Sequence, residues 1–123
     1  MTEYVNMRFP ADTGYISAIR LAVSGIAGKM DYNLDEIEDL KSCVAESCLL
    51  LLCGQECDGL VLDIETGRPL KCRIGAQGAK PAPGTGECGE FNEEISRLMI
   101  EALSEHADFL EENGILKAIS FEK

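Results

Sequence analysis

The side chains able to do chemistry in this 123-residue chain are few and widely spaced. Glu46 opens the run Glu46-Ser-Cys-Leu-Leu-Leu-Leu-Cys53, one carboxylate ahead of four leucines. Such a glutamate is either a general base held toward a pocket or an ordinary helix-surface residue. With 22 acidic residues present, spacing alone selects no second carboxylate to pair with it. His106 is the one histidine. The sequence places no Cys or Asp to orient it, so it reads as a satisfied imidazole in the core or at a helix end. None of the serines lies in a G-x-S-x-G turn. The cysteines are Cys43, Cys48, Cys53, Cys57, Cys72 and Cys88, with no C-x-x-C pair among them. Cys53 and Cys57 could share a helix face, but Gly54 intervenes and no His is near; structural zinc takes four ligands from tight pairs. No metal site is expected, and reduced, buried thiols are the expected state. Gly84-Thr-Gly-Glu-Cys-Gly89 spells G-x-G-x-x-G, yet Lys80-Pro-Ala-Pro83 precedes it where a strand is required, and Glu87 puts an anion where phosphates would sit.

Composition narrows the function classes. Twenty-two acidic against 11 basic residues give a net charge of −11. Phosphate backbones and anionic membranes would repel such a chain, so direct nucleic-acid or membrane binding is not expected, whereas a basic protein partner is compatible. No apolar run approaches the ~20 residues that span a bilayer. The first residues lack the charged-then-apolar pattern of a signal peptide. The expectation is one cytoplasmic domain covering residues 1–123.

Periodicity supplies the elements that must position these groups. Residues 3–9 alternate and end at Pro10, a strand leaving a sheet edge. Asp12 or Thr13 then caps a helix with Ile16, Ile19, Val23, Ile26, Ala27 and Met30 on one stripe; Arg20 and Ser24 lie off it, and Gly25 and Gly28 thin one side. Asn33 and Glu36 form a capping box for a second helix whose core stripe is Leu34, Ile37, Leu40, Val44, Cys48 and Leu51. Leu49, Leu50 and Leu52 make its end apolar nearly all round, so that end must be covered on several sides. Leu60, Leu62 and Ile64, a Thr66–Pro69 turn, then Leu70, Cys72 and Ile74 read as a hairpin. Residues 75–90 read as a loop. A third helix carries Ile95, Leu98, Met99, Ala102, Leu103 and His106 on or beside one stripe, and Asn113-Gly114 turns a final hairpin. The order β-α-α-β-β-loop-α-β-β predicts a two-layer α+β sandwich, helices on one face of a mixed, mostly antiparallel sheet.

The stretch from Tyr15 to Ser47 resembles the first two helices of the bacterial anti-sigma-factor serine kinases, members of the GHKL superfamily with the histidine-kinase-type ATPase fold. The residues carrying the likeness are Pro10-Ala11, Ile19-Arg-Leu21, Asp35-Glu-Ile-Glu-Asp-Leu40 and Glu46-Ser-Cys48, with Met99-Ile-Glu-Ala-Leu-Ser-Glu105 later in the chain. The resemblance implies a Glu and, four residues on, an Asn facing a nucleotide pocket, the Glu acting in phosphoryl transfer and the Asn holding Mg²⁺. Glu46 keeps the first position; Leu50 stands in the second, and leucine cannot ligate a hard cation. The D-x-G-x-G box would fall on Arg73-Ile-Gly-Ala-Gln-Gly78, which lacks the Asp. The second glycine box would fall on Glu94-Ile-Ser96, where a carboxylate meets the approach of a triphosphate. Lys80 is the one cation in the place of the family's ATP lid.

These departures lead to the expectation that the pocket is collapsed and filled, with no cofactor and no confident catalytic residue. What the resemblance then implies is a homodimeric partner switch that binds a sigma factor or an anti-anti-sigma protein, with Arg20 at the family's contact arginine. An active Mg-ATP-dependent serine kinase using Glu46 is the alternative. A redox sensor built on Cys53 and Cys57, or a small-molecule binder, is a further one.

Overall fold

A computed structural model describes residues 2–81, 88, 89 and 91–123. Among these the chain forms β1 (Tyr4–Pro10), α1 (Ile16–Gly28), α2 (Leu34–Cys53), β2 (Gly59–Glu65), β3 (Lys71–Gln77), α3 (Glu93–Leu103), β4 (His106–Glu112) and β5 (Ile115–Glu122). A 3-10 turn, Thr13–Tyr15, leads into α1, with the Asp12 carboxylate accepting from the Gly14 N–H. The strands form one sheet in the order β1-β2-β3-β5-β4. Every neighbouring pair is antiparallel, so the expected sandwich is present with no parallel pair.

Alternation decides which face of the sheet is buried. Leu60, Leu62 and Ile64 of β2, Cys72 and Ile74 of β3, and Ile119 and Phe121 of β5 face the helices. They meet Ile19 and Val23 of α1, Leu40, Val44 and Leu51 of α2, and Ile100 of α3. Each such aliphatic side chain contributes about 1.5–3 kcal/mol when removed from water. Helix α2 lies between α1 and α3 and also touches β3 and β5, which supplies the cover that its apolar C-terminal end demands.

Local chemistry sets the ends of α2. Asn33 Oδ1 accepts from the Glu36 N–H at 2.8 Å and Glu36 Oε1 accepts from the Asn33 N–H at 2.9 Å, the expected capping box. The other Glu36 oxygen pairs with Arg68 at 2.7 Å. The Asn33 N–H and then Arg68 hold the Glu36 carboxyl below its ordinary value. Beyond Cys53, the buried Gln55 amide behaves as a strand partner: it donates to the Leu116 carbonyl at 2.7 Å and accepts from the Leu116 N–H at 3.0 Å.

Several expectations change in the fold. Gly75, Ala76 and Gln77 belong to β3, not to a loop, because the ladder with Val61, Leu60 and Gly59 satisfies their backbone groups and overrides the glycine-rich composition. Glu56 and Lys80 add a bridge beyond it. Residues 82–87 and 90, which hold most of the expected G-x-G-x-x-G stretch, lie outside the described residues. Leu34 is 81% exposed because it opens α2, ahead of the turn that meets the core. On α3, Ile95 and Leu98 are 55% and 59% exposed, since α2 covers only the side bearing Ser96 and Ile100. Asn113 and Gly114 adopt positive φ of 55° and 77°, as their hairpin turn requires.

Tyr32 joins the layers. Its buried hydroxyl accepts from the Leu70 N–H at 2.8 Å and donates to the Lys123 carbonyl, while Arg68 lies 4.2 Å from its ring centre. Replacing Tyr32 by Phe removes both bonds, while the Leu70 N–H keeps the Lys123 carbonyl at 3.0 Å. The expected cost is about 0.5–1.5 kcal/mol for each bond lost, read as a lower urea midpoint with unchanged far-UV circular dichroism.

Candidate functional site

The second half of α2 projects in two directions. Cys43, Ser47, Leu50 and Leu51 are buried, while Glu46 and Leu49 are half-buried toward α3. A cleft of about 310 Å³ opens there, lined by Glu46, Leu49, Cys88, Phe91, Asn92, Ile95 and Ser96. The Ser96 hydroxyl donates to Glu46 Oε2 at 2.6 Å, joining α2 to α3. Glu46 is thus a hydrogen-bonded carboxylate at the wall of a small cleft. It is partnered on one side and lines open space on another.

The residues that would complete a nucleotide site are placed elsewhere. Leu50 is 2% exposed and points into the core, so the position corresponding to a metal-binding asparagine offers neither an oxygen nor access. Among the described residues, no three His, Cys, Asp or Glu side chains converge as metal ligands do. The start of α3 is capped by Asn92, whose side chain accepts from the Ile95 N–H at 3.0 Å, and its first turn carries Glu93 and Glu94. Those carboxylates use the positive end of the helix dipole that a phosphate would need. Arg97, the nearby cation, pairs with Glu93 and Glu111 and lies over the Phe109 ring. Among the described residues, the groups around Glu46 therefore supply no oxygen cluster of the kind that Mg²⁺ bridging to phosphates needs.

The stretch Arg73 to Gly78 runs along β3 and its end. Gly78 has φ +62°, and a Cβ there would stand 2.1 Å from Asp58 Oδ2. Conformation and space together therefore require glycine, with Asp58 lying over it. Asp58 itself lines a second cleft of about 240 Å³ with Ala11, Leu52, Gln55, Glu56, Cys57 and Lys80. Lys80 is therefore not among the groups around Glu46. His106 opens β4 rather than ending α3, and its exposed ring lies 3.0 Å from Asp108 on the outer face of the sheet. The expectation of a core or helix-end imidazole is corrected: α3 stops at Leu103, and the chain turns outward before the histidine.

The cysteines divide in a way that their spacing does not show. Cys53 is joined to Cys88 by a disulfide across a sequence separation of 35, correcting the expectation of six reduced thiols. It also separates Cys53 from Cys57, its expected redox partner, which keeps a free half-buried thiol. Cys43, Cys48 and Cys72 are buried free thiols, as expected. Burial pushes Cys43 and Cys48 up to about 12 and raises Cys72 as well.

Arg20 lies on α1, half-buried, with its Nε enclosed and making no hydrogen bond to the described residues. Beside it, Ser17, Ala18, Leu21, Gly25 and Gly28 form an exposed strip on the same helix. Leu21 is 69% exposed, and a Cβ at Gly25 or Gly28 would meet nothing within 4 Å. The glycines therefore answer to no packing need among the described residues. Ser96 escaped the sequence reading although its spacing of four from Ile100 put it on the buried face of α3; Cys88 carried no such signal.

No family model matches the chain. Forty-six residues are 52% identical to the serine-protein kinase RsbW of Bacillus licheniformis and 50% identical to that of Bacillus subtilis (strain 168). The RsbW kinase of Halalkalibacterium halodurans is 46% identical over the same length. These matches cover 37% of this chain and 29%, 29% and 28% of the three relatives, so the chain spans less than a third of the curated proteins it matches.

The thiols give a pH dependence with a definite sign. Their folded values lie above the ordinary 9.0, so their contribution to stability is whole below about pH 9 and is lost as pH rises toward about 12. The urea midpoint should fall progressively across that window and stay flat from pH 7 to 8.5. Iodoacetamide at pH 8 should leave Cys43, Cys48 and Cys72 unmodified in the folded chain.

Proposed function

We propose that this chain, a relative of the RsbW serine-protein kinases through 46 residues of shared sequence, is an anti-sigma-type regulator that acts by binding protein partners. The partner class is a sigma factor or an anti-anti-sigma protein, and the homodimer implied by the resemblance belongs to the same proposal. The observation that carries it is the strip along α1. Mid-helix glycine costs about 0.5–1 kcal/mol relative to alanine, and Gly25 faces open space. A helix accepts that cost where another surface must approach its backbone. Leu21 supplies exposed apolar area there, and Arg20 supplies a fork of donors suited to a partner carboxylate.

The same reading takes the nucleotide chemistry as lost. It is supported by Leu50 in the core, by the acidic first turn of α3, and by the Glu46 carboxylate engaged with Ser96. A second reading, an active serine kinase, is favoured by one observation: Glu46 lines a cleft with open volume.

Two measurements separate these. Tagged chain recovered from its host should bring a sigma factor or anti-anti-sigma protein with it. Arg20→Ala should weaken that binding at least tenfold without lowering the unfolding midpoint. Gly25→Ala should do the opposite to the free protein, raising its stability by up to about 1 kcal/mol while weakening the complex. Recovery of neither partner class would sink the proposal. Thermal unfolding with saturating Mg-ATP should show no shift. A ligand held at 100 times its Kd would add about 2.7 kcal/mol, and a shift that disappears in Glu46→Ala would put the kinase reading first.

A further inference from the structure

Helices α2 and α3 run antiparallel, and their contacts fix which side chains of each face outward. The Ser96 hydroxyl meets Glu46, the Cys43 thiol lies 3.9 Å from the Ile100 carbonyl, and Lys123 Nζ bridges Asp39 and the Leu103 carbonyl. Positions 39, 43 and 46 of one helix therefore meet 103, 100 and 96 of the other. One residue later, the side chains turn to the sheet: Val44 and Ser47 are buried, and Arg97 lies over the Phe109 ring of β4. One residue earlier, they turn about 100° the other way, to the outside. The outer line is Ser42, Ala45 and Leu49 on α2 and Ile95, Met99 and Ala102 on α3, all half-buried or exposed. Leu49 and Ile95 line one cleft, so the two lines are walls of a single groove.

The groove has an apolar floor and an acidic edge. Ser42, Ala45 and Ala102 keep the floor low, which leaves room for side chains from outside. Beside the α3 line run Glu94, Leu98 and Glu101, spaced four and three apart, with Leu98 59% exposed. Glu94 and Glu101 are exposed and make no ion pair among the described residues. The single cation of each helix is already engaged, Lys41 by Glu38 and Arg97 by Glu93 and Glu111. Scattered exposed leucines are ordinary, whereas a continuous apolar line with a charged rim marks a docking face. From Ile95 to Ala102 the line runs about 10 Å, two helical turns. That length takes anchors at i, i+3 or i+4, and i+7 of a bound helix.

We propose that the α2–α3 groove docks an amphipathic helix of a protein partner, its apolar anchors on Ala45, Leu49, Ile95 and Met99 and its basic edge against Glu94 and Glu101. The groove lies across α2 from the α1 strip, so this docking requires neither the α1 contact nor the partner classes proposed above. The unpaired glutamates choose the sign of the partner's edge, and the apolar floor supplies the burial that charge alone does not.

The test titrates the whole chain with three synthetic helical peptides. One has leucine anchors and an arginine and lysine edge. The second has the same anchors and a glutamate edge, and the third has the basic edge with its anchors replaced by serine. The first should bind at least tenfold tighter than either of the others. Amide resonances of Ser42 to Leu49 and Ile95 to Ala102 should shift, and those of Leu21 and Gly25 should not. Ala102→Arg should weaken binding of the first peptide at least tenfold, and Glu94→Gln with Glu101→Lys should bring the first two peptides within twofold of each other. Leu110→Gln, at an exposed leucine of β4, should change affinity less than twofold. Far-UV circular dichroism should be the same for every variant. No binding, equal binding of the serine peptide, an unchanged charge preference in the glutamate variant, or shifts centred on α1 or on the sheet would each overturn the proposal. So would occupation of the groove by a second copy, read as self-association that Ala102→Arg abolishes. Nuclear Overhauser contacts from residues 82–87 to Ile95 or Ala102 in the free chain would overturn it too, because the chain would then fill its own groove.

Discussion

Helix α2 is apolar on almost every side at its C-terminal end, and the rest of the structure is arranged to keep that end out of water. A surface helix needs one covered stripe; Leu49, Leu50, Leu51 and Leu52 in succession need cover around most of the circumference. The sheet lies beneath α2, with α1 and α3 on its flanks. Each end is pinned by different chemistry. The capping box and Arg68 fix the start, where the donors of the first turn would otherwise lack partners. Gln55 and the disulfide fix the finish, tying it to β5 and to the entrance of α3.

The chemistry left to the molecule follows from that burial. Packing Leu50 into the core stabilises the fold and leaves that position with neither an oxygen nor access to solvent. Glu46, on the neighbouring line of the same helix, keeps its carboxylate because that line faces α3, where Ser96 supplies a hydroxyl. The Ser96 hydroxyl gives this half-buried carboxylate a donor on the protein side. The outward side of α1 shows the opposite balance: exposed Leu21, glycines with room beside them and an arginine whose Nε is enclosed but unbonded.

Much of the architecture was legible in the residues because it rests on short-range rules. Alternation identified β1, β2 and β3, the Asn33/Glu36 spacing identified the start of α2, and Asn113-Gly114 identified the last hairpin. The misreadings share one cause. Ile95, Leu98 and Leu34 have helical spacing, but spacing gives the direction a side chain points and not whether anything lies there. Gly75 to Gln77 looked like loop on composition, until pairing with β2 gave their backbone groups partners. His106 looked helical because the apolar pattern of α3 runs on past its last turn.

The sequence by itself determined the order of elements, the capping of α2, the leucine four residues after Glu46 and the strongly acidic charge. Each of these depends on residue type or on neighbours within a few positions. Only the tertiary structure decided that Ser96 meets Glu46, that Asp58 fills the space above Gly78, and that Cys53 finds Cys88 rather than Cys57. Those contacts bring together residues far apart in the chain, with separations of 35 for the disulfide and 50 for Glu46–Ser96. No local pattern encodes such a meeting. It is set by how the helices pack on the sheet, and that packing answers to the whole apolar surface at once.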